Sequence, residues 1–161
     1  MRVGQGVDAH AFAAASDPAR PLVLGNVTIP QARGLEGHSD ADVVLHALCD
    51  ALLGAAGLGD MGTLFGANDP RYAGADSAVF LAEVVGQVVA AGWSIGNIDC
   101  TVVAEAPRLS PHVPAIKLRL AELLGIDDGA VSVKATSTDG LGFTGRGEGI
   151  ACLAVALLLP A

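Results

Sequence analysis

Three side chains in two separate segments could together bind a divalent metal ion. Asp8 and His10 are two residues apart in a predicted strand, 2–10, and this spacing puts both side chains on one face of the strand. His46 adds a second imidazole from a predicted helix. One carboxylate and two imidazoles suit Zn²⁺ and leave its fourth position open for a substrate oxygen. An ordinary turn at the end of a strand would explain the Asp-x-His pair alone.

The helix that carries His46 is predicted to begin after a polar loop. Ser39 or Asp40 can accept hydrogen bonds from the first free backbone amides there. From Val43 onward there is no Gly or Pro until Gly54, and leucines recur at helical spacing. One face of this helix therefore packs against a core.

Two carboxylates flank His46 on the predicted helix. Asp42, His46 and Asp50 are four residues apart, which puts a carboxylate one turn to either side of the imidazole. A neutral His that binds a metal through one nitrogen commonly has its other N–H held by a carboxylate. Asp42 or Asp50 could therefore fix the tautomer of His46. The alternative is a solvated helix face that happens to contain one His.

The stretch after this helix is rich in glycine and can bring the backbone close to a ligand. Residues 54–62 lack the Gly-Lys-Ser/Thr of a P-loop. Asp60 beside Gly62 could hold a sugar hydroxyl, although an ordinary loop at a helix end explains the same residues. Residues 64–74 have no periodicity and many turn-forming residues, and they predict a mobile lid.

A second polar stretch, 136–149, contains three successive hydroxyl residues, an Asp and five glycines. Hydroxyls, exposed amides and the carboxylate of Asp139 are the groups that a diphosphate with a bound Mg²⁺ needs. The alternative is a long flexible turn. Another turn, 105–108, contains Pro107 at the predicted end of a strand, where α/β folds often bind ligands.

The other elements predict a two-layer domain. Strands are expected at 97–104, 130–136 and 150–159, helices at 76–92 and 114–124, and a β-hairpin with a Gly25-Asn26 turn between 22–24 and 27–29. The last strand is apolar on both faces, as for a strand covered on both sides. Because helices would cover one face of the sheet, the other face needs a partner, which predicts a homo-oligomer.

Length and composition narrow the class of protein. A chain of 161 residues with 52% hydrophobic content predicts one domain, 1–161. Nine Lys and Arg against 17 Asp and Glu give a net charge of −8, which argues against a nucleic-acid partner. Three scattered cysteines predict a reducing compartment. The first residues lack the basic and apolar regions of a signal peptide, and the longest apolar run is too short to cross a membrane as a helix, so a soluble cytoplasmic protein is expected.

Several motifs, in order along the chain, resemble the family of 2-C-methyl-D-erythritol 2,4-cyclodiphosphate synthases, the ring-closing enzymes of the non-mevalonate isoprenoid pathway. These motifs are Gly6, Asp8 and His10 at alternate positions, His38-Ser39-Asp40-x-Asp42 followed by His46, Gly-x-Gly-Asp with Gly62, Ala106-Pro107, and Phe-Thr-Gly-Arg-Gly-Glu-Gly at 143–149. The resemblance covers essentially the whole chain, and it is to the stand-alone form rather than to a fusion with the cytidylyltransferase.

The resemblance implies an α+β fold, a two-layer sandwich in which helices cover one face of a mixed four-stranded sheet, with a small β-hairpin. It also implies a homotrimer whose sheets pack around the three-fold axis, with active sites between subunits. The implied activity is that of a phosphorus–oxygen lyase. It converts 4-diphosphocytidyl-2-C-methyl-D-erythritol 2-phosphate to the cyclodiphosphate and CMP.

The resemblance also implies roles for individual residues. Asp8, His10 and His46 would bind Zn²⁺ or another divalent transition metal, Asp139 would bind Mg²⁺ or Mn²⁺, and Asp50 would support the metal site. His38 and Ser137 would be catalytic. Substrate would contact Ser39, Asp60, Gly62, Phe65, Asp69, Ala104, Pro107, Arg108, Leu109, Ser110, Ala135, Thr136, Ser137, Thr138, Phe143 and Arg146. Phe143 and Arg146 would line the central cavity near the three-fold axis.

Some positions depart from the pattern of the family. Gln5 replaces a frequent His, Gly66-Ala67 replaces Pro-Asp in the lid, and Gly140 replaces a frequent Lys. Ser137 and Asp139 stand where the family usually has Thr and Glu. These changes concern lid contacts and phosphate binding and leave the predicted zinc ligands intact.

Two other functions compete with the cyclase. A zinc-dependent phosphohydrolase would use the open metal position to activate water. The sequence shows no obvious second cluster for a two-metal site. A non-catalytic module would bind an isoprenoid diphosphate in the trimer cavity through Arg146, although an intact set of zinc ligands argues against this as its sole role.

Overall fold

The computed structural model describes residues 1–14, 20–66 and 70–161. The strands are Arg2–Ala11 (β1), Pro21–Leu24 (β2), Val27–Arg33 (β3), Trp93–Val103 (β4), Val131–Thr136 (β5) and Gly149–Pro160 (β6). The helices are Val43–Ala56 (α1), Met61–Phe65 (α2), Ala78–Ala90 (α3), Val113–Leu124 (α4) and Gly142–Gly145 (α5), with 3₁₀ turns at Pro70–Tyr72 and Asp128–Ala130. Among the described residues, no helix has the length and apolar character needed to cross a membrane.

Four strands form a mixed sheet in the order β1-β6-β4-β5. Strand β6 is antiparallel to both of its neighbours, and β4 and β5 are parallel. The carboxyl ends of β1, β4 and β5 therefore lie at one end of the sheet, because all three strands run in the same direction. A mixed α+β fold with this sheet is what the sequence predicts.

The two faces of the sheet differ in exposure. Helix α1 packs on β1 and β6, α3 on β4, and α4 on β5. Alternate residues of β6 from Ile150 to Leu158 are fully buried beneath these helices, whereas Leu153 and Val155 on the opposite face are 38% and 40% exposed. The predicted covering of β6 is confirmed for one face, and the other face is open in the single chain.

The predicted β-hairpin is confirmed. Strands β2 and β3 pair antiparallel, with Leu24 opposite Val27. Gly25 and Asn26 both have φ of 60°. A two-residue turn with two positive φ values matches the right-handed twist of the paired strands.

The start of α1 differs from the prediction, because Asp42 rather than Ser39 or Asp40 is the N-cap. Its carboxylate accepts hydrogen bonds from the amides of Val44 and Leu45 at 3.0 and 3.2 Å. It also accepts from the amides of Gly25 and Asn26, at 2.9 and 2.6 Å. Asp42 is thus fully buried between the hairpin turn and the helix, and the alternative of a solvated face does not hold for this residue.

The end of α1 also lies further along the chain than predicted. Gly54 is inside the helix, and Gly57, with φ of 76°, ends it in the left-handed conformation. The glycine at this position avoids the steric cost that a Cβ would add.

Two glycines let β1 lie close against α1. A Cβ at Gly4 would be 2.0 Å from the carbonyl oxygen of Ala51, and a Cβ at Gly6 would be 2.0 Å from that of Ala47. Because no larger residue fits there, this approach sets the distance between the strand that carries Asp8 and the helix that carries His46.

Candidate active site

The predicted metal ligands converge at the end of β1. Asp8 Oδ2 lies 3.0 Å from His10 Nε2 and 3.1 Å from His46 Nδ1. The two imidazole nitrogens are 3.3 Å apart. One ligand atom from each residue thus lies within 4.8 Å of the others, which is the arrangement that a shared metal ion requires.

The hydrogen bonds of the two imidazoles suit metal binding. His10 Nδ1 is 2.6 Å from the carbonyl oxygen of Glu36, to which it donates, so Nε2 faces Asp8 without a proton in the neutral ring. His46 Nε2 is 2.9 Å from Ser77 Oγ and 3.3 Å from Ser39 Oγ. With a proton on Nε2, Nδ1 of His46 is also an open ligand. The residues present therefore fit a divalent transition metal.

The prediction that Asp42 or Asp50 holds the second nitrogen of His46 is wrong. Asp42 is used at the helix cap, and Asp50 accepts a hydrogen bond from the amide of Met61 at 2.8 Å. Burial raises the pKa of Asp50, while this amide and the charge of His46 lower it. Asp50 thus makes its hydrogen bond to the backbone, and serine hydroxyls supply the direct contact to His46.

Contacts within this group of three residues shift the pKa values of Asp8 and His10. Burial raises the pKa of Asp8, but hydrogen bonds and charge from His10 and His46 outweigh it and bring the pKa well below its usual range. Burial lowers the pKa of His10, yet its contact with Asp8 outweighs this effect and raises the pKa above 6.5. Without metal, the contact between Asp8 and His10 therefore favours an ionised Asp8 and a protonated His10.

A pocket of about 170 Å³ opens beside the metal ligands. His10 and His46 form one wall, and the remaining lining residues are His38, Ser39, Met61, Gly62, Phe65, Gly66, Tyr72 and Phe80. Four of the predicted catalytic or substrate-binding residues thus line this pocket, namely His38, Ser39, Gly62 and Phe65. Asp69, which the sequence also assigned to the substrate, lies outside the described residues.

The loop before α1 is fixed to the rest of the fold on both sides of His38. The guanidinium of Arg20 donates to the carbonyl oxygens of Gly37, at 3.0 Å, and of Ser39. The amide of Gly74 donates to the carbonyl oxygen of His38 at 2.7 Å. These bonds hold the backbone of His38 at the mouth of the pocket.

Asp60 is exposed at the start of α2. Its carboxylate accepts from the amide of Thr63 at 2.7 Å and caps the helix. This bond is the main cause that lowers the pKa of Asp60. Asp60 therefore remains an ionised acceptor next to Gly62, which is the state required to accept hydrogen bonds from a sugar diol.

A second cavity, of about 260 Å³, lies at the ends of β4 and β5. It is lined by Ala104, Glu105, Pro107, Arg108, Leu109, Ser110, Ala135, Thr136 and Ser137. All of these except Glu105 were predicted to bind substrate. Exposed backbone and small side chains at the carboxyl ends of parallel strands form the kind of cleft that α/β folds use for ligands.

The hydroxyl-rich loop follows directly from this cavity. Ser137 Oγ donates to Asp139 Oδ1 at 3.2 Å, and Thr138 Oγ1 donates to the carbonyl oxygen of Leu141 at 2.5 Å. Phe143 lies on the short helix α5 and is 42% exposed. Arg146 forms a two-point ion pair with Glu148, with N–O distances of 2.7 and 3.3 Å.

Comparison with known proteins agrees with this geometry. The model of the YgbB family matches residues 1–159. A 2-C-methyl-D-erythritol 2,4-cyclodiphosphate synthase of Azoarcus sp. (strain BH72) is 56% identical over 161 residues, 100% of this chain and 97% of that protein. The chain belongs to the family of 2-C-methyl-D-erythritol 2,4-cyclodiphosphate synthases. The synthase of Escherichia coli O6:K15:H31 is 54% identical over 161 residues, 100% of this chain and 99% of that protein.

Solved structures of cyclodiphosphate synthases share the fold. The bifunctional IspDF of Campylobacter jejuni matches with a TM-score of 0.93 and 40% identity, over 99% of this chain and 42% of that one. IspF of Plasmodium falciparum, solved as a CDP complex, matches with a TM-score of 0.85 and 35% identity, over 99% of this chain and 96% of that one. The resemblance inferred from the motifs is confirmed.

The sequence motifs did not identify Phe80 as a residue of the pocket or Ser77 as a contact of His46. Phe80 lies 4.9 Å from Phe65 and 5.0 Å from Tyr72 between ring centroids, and 6.2 Å from His46. In the sequence, both residues belong to the predicted helix 76–92, which carries no site motif. A contact between residues about thirty positions apart leaves no local signal, so periodicity does not reveal it.

The protonation of the metal ligands predicts a pH-dependent stability. The folded pKa of His10 is raised, so its contribution is present below 6.5 and is lost as the pH rises through the folded pKa. The contribution of Asp8, whose pKa is lowered, is present above 3.8 and is lost only in acid. We expect the Tm of metal-free protein to fall from about pH 6 to about pH 8, while stabilisation by added zinc grows over the same range.

Thermal unfolding with chelator or with zinc measures both trends. The His10→Gln variant should lack the downward slope of the metal-free protein, and His112→Gln, at a distant imidazole, should retain it. An identical slope for wild type and His10→Gln would contradict the assignment.

Proposed function

We propose that the chain converts 4-diphosphocytidyl-2-C-methyl-D-erythritol 2-phosphate to 2-C-methyl-D-erythritol 2,4-cyclodiphosphate and CMP. The observation that carries the proposal is the convergence of Asp8, His10 and His46 beside a pocket, in a chain of this family. The structural relative solved with CDP supports a cytidine diphosphate ligand.

The reaction is an intramolecular phosphoryl transfer. An oxygen of the 2-phosphate forms a bond to the β-phosphorus, the bond from that phosphorus to the oxygen bridging to the α-phosphate breaks, and CMP leaves with that oxygen. Little general base is required, because a phosphate monoester is largely ionised near neutral pH. Catalysis therefore depends on folding the substrate and stabilising the charge that develops.

The protein supplies orientation at several points. His38 and Ser39 line the pocket where the erythritol phosphate would lie. Asp60 and Gly62 would accept and donate hydrogen bonds to the ribose. Phe65 lines the same pocket and packs against Phe80. The backbone of 104–110 and 135–137 would receive the cytosine, with Ser137 placed to contact the phosphates.

Two metal ions are part of the proposal. Asp8, His10 and His46 would hold Zn²⁺ or a similar transition metal, and Asp139 would hold Mg²⁺ or Mn²⁺ at the diphosphate. Bound there, the ions would polarise the phosphates and neutralise their charge.

The active site is proposed to lie between subunits of a homotrimer. The zinc ligands stand at the β1 edge of the sheet and Asp139 follows β5, at the opposite edge. Three strand spacings, about 14 Å, separate these edges. Both metal sites must nevertheless reach one diphosphate. Contact between the β1 edge of one copy and the β5 edge of the next meets this requirement, and such a head-to-tail contact closes into a ring.

The open face of the sheet supports the same assembly. Val3, Val7, Leu153, Val155 and Leu159 expose apolar side chains there, with exposures between 38% and 66%. An apolar face of this kind marks a protein interface. We propose that three sheets pack these faces around the axis, and that each chain is one domain, 1–161. The three free buried cysteines are consistent with a cytoplasmic location.

The proposal makes a prediction for Asp139. Its carboxylate is one methylene shorter than Glu, and direct Mg²⁺ coordination needs oxygen at about 2.1 Å. Asp139 and Gly140 have φ of 52° and 81°, and this left-handed backbone presents the carboxylate next to Ser137. Asp139→Asn should greatly weaken the response to Mg²⁺. Asp139→Glu should keep the response, at a backbone cost of about 1–2 kcal/mol in this conformation.

Turnover measured against Mg²⁺ concentration decides the role of Asp139. The variant Asp128→Asn, at another exposed acidic residue near β5, serves as the control and should behave as wild type. An unchanged Mg²⁺ response in Asp139→Asn would remove this carboxylate from the metal site.

Product analysis tests the proposed reaction. The protein is incubated with the cytidyl substrate, zinc and Mg²⁺, and the products are separated. CMP together with the cyclic diphosphate supports the proposal. A linear phosphate product would identify a hydrolase, and the absence of CMP would rule out both activities.

A further inference from the structure

The serine that precedes helix α3 makes an unusual set of contacts. Ser77 occupies the N-cap position, but its side chain makes no capping hydrogen bond. The amide of Ala78 is instead satisfied by Asp76 Oδ1 at 2.8 Å. The hydroxyl of Ser77 is fully buried and lies 2.9 Å from Nε2 of His46. A residue that commonly caps helices is thus turned towards a metal ligand.

Asp40 holds this serine in place from the other side. One oxygen of its carboxylate accepts the Ser77 hydroxyl proton, and the other accepts from the Ser77 amide at 3.0 Å. The amide of Asp42 also donates to Asp40, at 3.2 Å. Asp40 therefore fixes the position of Ser77. It also orients the hydroxyl proton of Ser77 towards itself, because an ionised carboxylate can only accept hydrogen bonds.

The orientation of the Ser77 hydroxyl proton determines whether Nε2 of His46 carries a proton. A hydroxyl has one proton, and in Ser77 it points to Asp40, so the Ser77 oxygen can only accept from Nε2 of His46. The Ser39 hydroxyl is further away, at 3.3 Å, and already accepts from the amide of Ala41. His46 thus carries a proton on Nε2, and Nδ1 is the nitrogen that faces Asp8 and His10.

We propose that Ser77 and Asp40 are positioning residues that set His46 as a metal ligand before the metal arrives. Asp40 acts through Ser77, and Ser77 acts through the Nε2–H of His46. The inference deepens the proposed function, since it rests on the metal site placed there. Hydrogen-bonded partners of this type typically change metal affinity by about 10- to 100-fold.

The first test is the tautomer of His46 in the metal-free wild-type protein, read from nitrogen-15 chemical shifts of its ring near neutral pH. We expect a proton on Nε2. A ring without a proton on Nε2 would overturn the proposal. This measurement needs no substitution, so it stands even if a variant fails to fold.

The second test is zinc affinity, measured on metal-free protein by competition with a chromophoric chelator. Ser77→Ala and Asp40→Asn should each weaken zinc binding by about 10- to 100-fold. The double variant should be little worse than either single variant, because both act along one chain of hydrogen bonds. Ser94→Ala, which removes an exposed hydroxyl bound to the carbonyl of Leu159, is the matched control and should bind zinc as wild type does.

These tests distinguish a failure of the positioning role from a failure of the proposed function. Wild-type zinc affinity in Ser77→Ala would overturn the positioning role whatever the reaction is. Additive losses in the double variant would show that Asp40 does not act through Ser77. Failure to form the cyclic product, with the expected tautomer and affinities, would overturn the cyclase proposal alone.

Discussion

Replacement of His46 by Ala is expected to abolish tight zinc binding and reduce turnover to near background. The substitution removes one of three ligand atoms that lie within 4.8 Å of one another. The loss should exceed the roughly 10- to 100-fold effect of removing a supporting residue, because the ligand itself is gone. The fold should survive, since the side chain of His46 lines the pocket and is not part of the hydrophobic core.

Zinc content and thermal unfolding of the purified variant measure this prediction. His112→Ala removes an imidazole far from the metal ligands along the chain and should keep both zinc and activity. Zinc retained at full stoichiometry in His46→Ala would show that the metal is held by other residues.

The second large effect is expected at the open face of the sheet. Val155 is 40% exposed, whereas its neighbour Ala156 is fully buried beneath the helices. Val155→Glu should therefore leave the core of the chain intact and place a charge in the proposed trimer interface. An unpaired buried charge costs several kcal/mol, so monomer or aggregate should replace the trimer.

Light scattering measures the oligomeric state. Val89→Glu, at a valine of α3 that is 59% exposed, is the matched control and should remain trimeric. Trimers of Val155→Glu with unchanged stability would place the interface elsewhere on the chain.

A mixing experiment checks that each site draws on two copies. His46→Ala and Asp139→Asn are each expected to be poorly active, but a mixed trimer can pair the intact His46 of one copy with the intact Asp139 of the next. Activity should return when the two variants are unfolded and refolded together. No recovery in verified mixed trimers would indicate that each site is built from one chain.

The candidate metal site could be predicted in part, because the positions of two of its residues follow from a simple periodicity. Residues two apart on a strand share a face, so Asp8 and His10 had to lie together. The chemistry of the ligands then pointed to His46 as the third member. The hairpin was predictable for a similar reason, since Gly25-Asn26 accommodates two positive φ values.

The surroundings of His46 could not be predicted in the same way. Helical spacing predicted that Asp42 and His46 share one face of the helix. Spacing alone does not show which residue is the N-cap. Asp42 became the cap because four amides from two elements converge on its carboxylate. Ser77 reaches His46 only through the packing of α3 against α1, a tertiary contact that no local pattern encodes.

Local sequence patterns also do not show how the subunits of the proposed trimer pack. An apolar β6 indicates that both faces of the sheet need cover, but not what covers the second face. The exposed apolar side chains around Val155 locate that face, and the edge positions of His46 and Asp139 define what a neighbour must supply.

The central claim is that the 2-phosphate of the substrate, and not water, attacks the β-phosphorus. Turnover in ¹⁸O-labelled water, followed by mass spectrometry of both products, tests it directly. Intramolecular ring closure takes no oxygen from solvent, so the cyclic diphosphate and CMP should both be unlabelled. One ¹⁸O atom in CMP, or in a linear erythritol phosphate formed in place of the cyclic product, would contradict the account and establish hydrolysis at this site.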